Sequence, residues 1–358
     1  MELLSGNEAI ARGAWEGGVG TAFGYPGTPS TEILENLVKY DSPRVYCEWS
    51  PNEKVAMEAA VGASLGGSRT LVTMKCVGLN VAADPLMTLA YIGVEAGLVV
   101  IVADDPGMHS SQTEQDTKLY AKLARIPVLE PSDSQEAKDF VIQALELSEK
   151  FRLPVLIRTT SRVSHSRSQV KTLPRKESTR PKEFIQDPKR HCPLPIWGRQ
   201  MRRDLQEKTR ALSKEASEST LNRIEEGDDS LGIICGSISY QYVKEVFPEA
   251  SVLKLGFPFP YPDDLIRNFS KGKKSILVVE ETDDFMEEHV KSLGINCLGH
   301  EIVPECGELS VEALRIRCAK PLTARAPTTR PPGSRSRRSP RARLSSAPAA
   351  HTGDSSTP

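Results

Sequence analysis

Four short segments of this chain carry residue types that bind ligands and transfer protons. They are YPGTPS (25–30), EWSPNE (48–53), MKCVGLN (74–80) and DDPGMHSSQTEQD (104–116). Glycine allows a ligand to approach the backbone closely, whereas threonine, serine, histidine and the acids offer hydrogen bonds or charge. No single residue is diagnostic. On the sequence alone, a solvated surface histidine is favoured over a base for His109, and a solvated acidic loop is favoured over a metal site for Asp104 and Asp105.

Glu53 admits two interpretations, a helix cap or a functional carboxylate. Ser50, Pro51 and Glu53 fit the S-x-x-E capping box, with proline at the first helical position, where its missing N–H costs nothing. The local sequence by itself favours the cap. The Glu53 carboxylate cannot easily cap the helix and bind a ligand at the same time, so the two interpretations compete.

The predicted helices and strands that must position these segments alternate along residues 1–165. The run GLVVIVAD (97–104) is continuously apolar, as a strand covered on both faces is. Strands separated by helices of this length form βαβ units and a parallel sheet. Ligands of such sheets gather at the carboxyl ends of the strands. The sequence therefore predicts an α/β domain with its ligand site in the four segments.

Two further regions are predicted to be ordered. Residues 166–229 form a charged connector with one solvated helix near 198–226. Residues 230–317 form a smaller α/β domain with a parallel sheet. Its predicted strands are SLGIIC, ASVLKL, KSILVVEE and INCLGH, and its predicted helices lie near 238–247, 262–270 and 283–293.

Residues 318–358 have too few apolar side chains to fold, so this basic tail is predicted to be disordered. Two interpretations stay open. A basic tail can bind nucleic acid. The abrupt change in composition after GELSVEALR also resembles a truncation or DNA translated in the wrong frame, and this interpretation is favoured.

The composition argues against several classes of protein. The formal net charge of −1 gives no overall attraction to nucleic acid or anionic membranes. The seven cysteines are scattered without a CxxC pair, which argues against a zinc site or an iron–sulfur cluster, and no metal ligands are predicted.

No signal region and no apolar stretch long enough to cross a membrane is present. No dinucleotide-binding glycine motif follows the first predicted strand. The sequence also contains no P-loop, lipase or zinc-protease motif. The prediction is a cytoplasmic protein without a membrane partner.

Four segments carry a resemblance to a known family: FGYPGTPSTEI, NEKVAMEAAVGAS, TMKCVGLNVAADPL and VADDPGMHSSQTEQDTKLYAKLARIPVLEPSDSQEA. They are similar to the amino-terminal part of the 2-oxoacid:ferredoxin oxidoreductases. The resemblance covers nearly all of 1–316 and is closest to the alpha subunit of the indolepyruvate branch. It implies that a parallel-sheet domain (1–165) binds the aminopyrimidine ring of thiamine diphosphate. A smaller α/β domain, like the carboxy-terminal domain of transketolase, is implied for 230–317.

The resemblance also implies roles for individual residues. Glu53 matches the catalytic glutamate that hydrogen-bonds the pyrimidine nitrogen N1′ and favours the imino tautomer, which takes a proton from the thiazolium ring. Thr28 matches a threonine that faces the 2-oxoacid carboxylate, although it could instead stabilise the start of its own helix. The other implied residues bind substrate (His109 and Ser110) or cofactor (Tyr25, Pro26, Gly27, Gly78 and Asn80).

Two positions depart from the family pattern. Cys76 stands where glutamine or histidine is expected. Asp104, Asp105 and Pro106 stand where pyruvate-using relatives have an arginine for the substrate carboxylate. The second departure fits a bulkier substrate and leaves the partner of its carboxylate unidentified.

The implied activity is thiamine-diphosphate-dependent oxidative decarboxylation of an aryl 2-oxoacid to an acyl-CoA. A beta subunit and ferredoxin are the implied partners, in a homo- or hetero-oligomer. The family also uses Mg²⁺ and [4Fe–4S] clusters, but the motifs that hold them have no counterpart in this sequence. The chain is therefore expected to be a partial catalytic subunit that is inactive alone. A catalytically incomplete scaffold subunit is the alternative.

Overall fold

The computed structural model describes residues 1–40, 44–177 and 183–318 of the 358-residue chain. These residues form two α/β units joined by a long helix. Residues 319–358, nearly all of the tail predicted to be disordered, lie outside the described residues. So do residues 178–182 of the predicted connector.

A parallel sheet forms the centre of the first unit. The strands of this unit are β1 (Glu2–Ser5), β2 (Thr21–Gly24), β3 (Tyr46–Trp49), β4 (Thr70–Lys75), β5 (Leu98–Asp104), β6 (Val128–Leu129), β7 (Val155–Thr160) and β8 (Arg167–Val170). Six of them form one parallel sheet in the order β3-β2-β4-β5-β7-β6. Every residue of β5 and β7 is buried, as strands covered on both faces are. The α/β class predicted for this region is confirmed, whereas the antiparallel pair β1–β8 was not expected.

Helices connect these strands. They are α1 (Gly6–Glu16), α2 (Thr31–Leu37), α3 (Glu53–Leu65), α4 (Cys76–Val81), α5 (Ala83–Ile92), α6 (Thr117–Ala124), α7 (Ser134–Phe151) and α8 (Ser161–His165). α6 was not predicted, because its segment follows a polar loop. The side chain of Asp116 caps α6 by accepting the N–H of Lys118 (2.9 Å), and the buried ammonium of Lys118 pairs with Glu280 of the second unit (3.4 Å).

The connector contains α9 (Pro188–His191) and α10 (Pro195–Glu218), and then the strand β9 (Asn222–Glu225). The predicted helix near 198–226 is therefore wrong at its carboxyl end. The cause is Asn222, whose side-chain amide donates to the carbonyl oxygens of Ala216 (2.8 Å) and Phe257 (3.0 Å) and accepts the Phe257 N–H (2.7 Å). These bonds end the helix and hold the next residues in a strand.

The second unit contains β10 (Asp228–Gly236), β11 (Ala250–Leu255), β12 (Ile276–Val279), α11 (Ser239–Val246), α12 (Asp263–Ser270), α13 (Phe285–Ser292) and α14 (Val311–Cys318). Its sheet has the order β12-β10-β11-β9, in which β9 alone is antiparallel. The predicted strand INCLGH is wrong, because it makes only one bridge, between Leu277 and Leu298. Beyond that bridge, the N–H of His300 is bound by the Glu287 carboxylate (2.7 Å) rather than by a neighbouring strand.

The second unit packs against β6, the edge strand of the first sheet. Phe257 and Phe259 belong to the same buried cluster as Val128 and Phe140 of the first unit. Backbone hydrogen bonds run from Val128 N to Phe259 O (2.8 Å) and from Glu130 N to Gly256 O (2.9 Å). The predicted boundaries after 165 and 229 therefore lie within one continuous core, and separate domains there stay a prediction.

Candidate active site

Three of the four segments singled out from the sequence are joined by hydrogen bonds at the carboxyl edge of the first sheet, and the fourth reaches them where Glu53 contacts Gly78. β2, β4 and β5 are neighbours, so the loops that follow them leave the sheet side by side. The hydroxyl of Ser110 donates to the carbonyl oxygen of Thr28 (3.0 Å), and the ammonium of Lys75 donates to the carbonyl oxygen of Ser110 (3.4 Å). Ser110 therefore joins all three loops.

The turn at 25–30 is held by hydrogen bonds close in sequence. The N–H of Gly27 donates to Thr31 Oγ1 (2.8 Å), and the hydroxyl of Ser30 donates to the carbonyl oxygen of Gly27 (2.9 Å). Thr31, not Thr28, thus supports the start of α2. The Thr28 side chain is exposed and its hydroxyl has no partner among the described residues, which leaves it available to a ligand.

Helix α3 begins at Glu53 and its N-cap is Asn52, not Ser50. The Asn52 side chain accepts the N–H of Val55 (2.9 Å). Ser50 is buried and its hydroxyl has no hydrogen-bond partner among the residues that the structure describes, so the predicted capping box is wrong. The cap does not use the Glu53 carboxylate, and no described residue pairs with it.

Gly78 lies directly against the Glu53 side chain. A Cβ atom at position 78 would be 2.5 Å from Oε1 and 2.8 Å from Cγ of Glu53, which is closer than such atoms can approach. Glu53 is only 9% exposed, and it occupies the amino-terminal end of α3, where the helix dipole favours a negative charge. The starts of α3 and α4 together position this carboxylate.

Asp105 organises the loop after β5. Its carboxylate accepts the N–H groups of Ser110 (2.7 Å) and Ser111 (2.9 Å) and the hydroxyl of Ser161 (2.7 Å). Burial by itself would raise the pKa of Asp105, but these hydrogen bonds outweigh it and the pKa is lowered. Asp105 is therefore ionised, and its carboxylate oxygens are occupied by hydrogen bonds within the protein.

Asp104 and His109 face other parts of the molecule. Asp104 is fully buried, pairs with Arg158 and accepts the N–H of Thr117 (3.0 Å). The exposed imidazole of His109 lies 3.6 Å from the carboxylate of Glu308, in the second unit. The structure thus brings His109 to the mouth of the loop cluster, at its contact with the second unit.

The remaining predicted residues lie at the same edge. Tyr25 and Pro26 are exposed, and Asn80, also exposed, accepts a hydrogen bond from the Tyr120 hydroxyl. Cys76 is buried with its thiol 3.9 Å from Ser111 Oγ, and burial raises the pKa of that thiol.

Lys75 is absent from the sequence-based predictions, although it lies among the three loops. Its side-chain stem covers Gly27, where a Cβ atom would be 3.1 Å from Lys75 Cγ and Cδ. A signal was available, since Lys75 is the charged residue that ends the otherwise buried strand β4.

The site fits one half of the cofactor that the resemblance implies. A mostly buried carboxylate without a protein partner suits a hydrogen bond to a ring nitrogen, and the hydroxyls of Ser50 and Thr73 are also buried and unpartnered. Within the described ranges, no group of three or more His, Cys, Asp or Glu side chains is arranged to hold a metal ion. No helix in the described part of the chain is long and apolar enough to cross a membrane.

Comparison with known proteins gives a consistent result. Residues 12–226 match the family described as pyruvate flavodoxin/ferredoxin oxidoreductase, thiamine diphosphate-binding. The indolepyruvate oxidoreductase subunit IorA of Archaeoglobus fulgidus is 46% identical over 306 residues, covering 82% of this chain and 49% of that protein. The 2-oxoglutarate synthase subunit KorA of the same organism is 26% identical over 347 residues, covering 85% of this chain and 96% of that protein.

A solved structure shares the fold. The 2-oxoglutarate:ferredoxin oxidoreductase from Magnetococcus marinus aligns with a TM-score of 0.70 over 90% of this chain and 65% of that chain, at 16% identity. The chain spans about half the length of the IorA relatives it matches.

Proposed function

Because the chain belongs to the 2-oxoacid:ferredoxin oxidoreductase family and matches its thiamine diphosphate-binding part, we propose that it supplies the pyrimidine-binding half of an active site that oxidatively decarboxylates an aryl 2-oxoacid. Glu53 is the catalytic residue in this proposal. The observation that carries it is the Glu53 carboxylate, seated on Gly78 and left without a partner in the described chain. Indolepyruvate is the proposed substrate because the relatives near 46% identity are named for it.

Glu53 would act by holding a proton on the cofactor. When bound, thiamine diphosphate supplies a carbon nucleophile for the keto group of a 2-oxoacid. The Glu53 carboxylate would accept a hydrogen bond from N1′ of the pyrimidine ring and so keep that nitrogen protonated. A charge-assisted hydrogen bond is stronger where water is largely excluded, and Glu53 is 9% exposed.

The loops around Glu53 would receive the substrate. The free hydroxyl of Thr28 can donate to the carboxylate of a 2-oxoacid, and Ser110 holds the Thr28 loop in place. His109 would approach the substrate from the side of the second unit. Contacts to the pyrimidine ring are proposed for Tyr25, Pro26, Gly27, Gly78 and Asn80.

The proposed activity depends on partners. A beta subunit is proposed to complete the site, with ferredoxin as electron acceptor and acyl-CoA as product. The diphosphate, Mg²⁺ and iron–sulfur clusters would then be held outside the described residues. A cytoplasmic location is part of the same proposal.

A scaffold without catalytic function is the second candidate. In this alternative the two α/β units fold and pair with a beta subunit, but the assembled site does not activate the cofactor.

The two candidates separate in one experiment. A complex reconstituted with a beta subunit would be given thiamine diphosphate, and exchange of the thiazolium C2 proton and release of CO₂ from indolepyruvate would be measured. Glu53→Gln is expected to lower both rates by roughly 10²–10⁴-fold, the usual contribution of a positioned proton-transfer group. Glu58→Gln, on an exposed side of the same helix, is the matched control and is expected to keep both rates.

Full activity of Glu53→Gln would overturn the proposed mechanism. An intact complex in which the unaltered chain accelerates neither C2 exchange nor CO₂ release would instead favour the scaffold.

A further inference from the structure

Lys75 occupies a central position at the carboxyl edge of the sheet. It is half-buried at the end of β4, with its stem lying over Gly27 of the turn after β2. Its ammonium reaches the carbonyl oxygen of Ser110, in the loop after β5 (3.4 Å). The ammonium is therefore held among three loops, and Ser110, whose carbonyl oxygen it binds, also donates its hydroxyl to the carbonyl oxygen of Thr28.

No acid within the described residues forms a salt bridge with Lys75. The acid in the adjoining loop, Asp105, already accepts hydrogen bonds from Ser110, Ser111 and Ser161. Glu53 packs against Gly78 instead. A positive charge that folding fixes among three loops without a counter-charge favours an anionic ligand.

The other cations near this edge are paired. Arg162 binds Glu308 (2.8 Å), the carboxylate that also faces His109 (3.6 Å). Arg158 is fully buried against Asp104. Lys75 is thus the cation among these loops that remains for a ligand.

The donors around Lys75 match a carboxylate. A lysine ammonium has three N–H donors, of which Ser110 takes one, so two remain for the two oxygens of a carboxylate. The unpartnered hydroxyl of Thr28 adds a further donor. Gly27 allows the Lys75 stem to lie close to the turn, because a Cβ atom there would be 3.1 Å from Lys75 Cγ and Cδ and the stem would have to shift by a few tenths of an ångström.

We infer that Lys75 binds the carboxylate of the 2-oxoacid, together with the hydroxyl of Thr28, and thereby selects 2-oxoacids over their uncharged analogues. This inference rests on the proposed function. Lys75 and Gly78 lie at the start of the same short helix, so the carboxylate anchor and the seat of Glu53 are held by one element. A substrate held by its carboxylate at Lys75 is therefore kept at a fixed distance from the catalytic carboxylate.

The test compares ligands as well as variants. Indole-3-pyruvate and the uncharged indole-3-acetaldehyde would be titrated into the chain in complex with its beta subunit, and their dissociation constants measured calorimetrically. The unaltered protein is expected to bind the acid roughly 10- to 100-fold more tightly, as a hydrogen bond to a charged group contributes. Lys75→Met keeps the stem, and is expected to weaken binding of the acid by that factor while leaving the aldehyde unchanged.

Two further variants complete the comparison. Lys75→Arg is expected to restore part of the lost affinity, because it returns the charge. Lys54→Met removes a lysine that pairs with Asp84 (3.4 Å), and is expected to bind both ligands as the unaltered protein does.

The outcomes distinguish this inference from the proposed function. If the unaltered complex releases CO₂ and accelerates C2 exchange while Lys75→Met keeps the same KM and the same preference for the acid, the role of Lys75 is overturned and Glu53 is unaffected. If Lys75→Met raises KM for the 2-oxoacid but leaves C2 exchange unchanged, the carboxylate-binding role is supported.

Discussion

The Glu53 carboxylate is available for the proposed catalytic role because Asn52, rather than Ser50 with Glu53, caps helix α3. Asn52 caps α3 through its side chain, and this places Glu53 at the first helical position, facing Gly78. An acid at this position gains from the helix dipole without having to bond its own backbone. Because Asn52 caps α3, the Glu53 carboxylate is not needed for the cap and can serve the proposed function.

Substituting Gly78 tests how closely the Glu53 carboxylate is positioned. Gly78→Ala would add a Cβ atom 2.5 Å from Glu53 Oε1, so the side chain must move. Activity of the complex is expected to fall about 10-fold or more, because misplacing a catalytic group by about 1 Å can cost 10²-fold. The measurement is the rate of C2 exchange at saturating thiamine diphosphate.

A matched control exists in α10. Gly198→Ala places a Cβ atom where nothing lies within 4 Å, so this variant should retain the exchange rate. Equal rates for Gly78→Ala and Gly198→Ala would show that the observed packing of Glu53 on Gly78 is irrelevant to activity.

At the scale of elements, the starts of α3 and α4 and the loops after β2 and β5 form the site. Each loop is fixed by hydrogen bonds that the sequence pattern alone does not reveal, such as those that Asp105 accepts from Ser110 and Ser111. A loop held in this way presents its polar groups in a defined arrangement, which a binding site requires.

The helix cap can be tested by comparing two substitutions. Asn52→Ala removes the side-chain acceptor of the Val55 N–H and is expected to lower the free energy of unfolding by about 1 kcal/mol. Ser50→Ala removes a buried hydroxyl without a partner, and is expected to have a smaller effect or to stabilise slightly. Denaturant unfolding followed by circular dichroism measures both. The opposite ranking would restore Ser50 as the cap.

At the scale of the whole molecule, a buried ionic cluster joins the two units. Arg158 of β7 binds Glu130 (2.7 Å), and Lys118 of α6 binds Glu280 of the second unit (3.4 Å). The hydroxyl of Thr282 donates to Asp116 (3.0 Å). Removing one member of such a cluster leaves an uncompensated charge, so the relative position of the units depends on the complete set.

Glu281 makes this cluster sensitive to pH. One carboxylate oxygen accepts the N–H of Leu309 (3.0 Å), whereas the other has no hydrogen-bond partner in the described part of the chain. Burial raises the pKa of Glu281 to about 7, against the opposing effects of the Leu309 N–H and Arg158, and Glu308 and Glu130 add to the rise. The folded state therefore favours the protonated acid.

Stability should consequently fall as pH rises through the pKa of Glu281. Below the ordinary pKa of a glutamate the acid is protonated in both states, whereas near pH 8 the folded state must bury the charge. The contribution of Glu281 that is lost between pH 5 and 8 is expected to be on the order of 3 kcal/mol, since one pKa unit corresponds to about 1.4 kcal/mol. Glu281→Gln should lack this contribution when denaturant unfolding is measured across that range.

Glu218→Gln, at an exposed position, is the control. Its free energy of unfolding should change with pH as that of the unaltered chain does. If Glu281→Gln and the unaltered chain lost stability in parallel from pH 5 to 8, the Glu281 carboxyl would not be the titrating group.

The sequence by itself determined the α/β class, most strands and helices, and the segments that meet at the site. Burial of a parallel strand is visible in consecutive residues, as in GLVVIVAD, and glycine, serine and threonine mark the loops that follow strands. The same segments carried the family resemblance, which the comparisons confirmed. These features are local, so no knowledge of distant contacts was needed.

Only the tertiary structure decided which polar groups are used and which are free. Asn222 ends a helix by binding Phe257, Lys118 is buried by Glu280, and Thr31 rather than Thr28 supports its turn. Lys75 could be recognised as an unpaired cation only once the loops after β2 and β5 were in place around it. A side chain's hydrogen bonds and counter-charges come mostly from residues far away in sequence, and these meet it only when the sheet has formed.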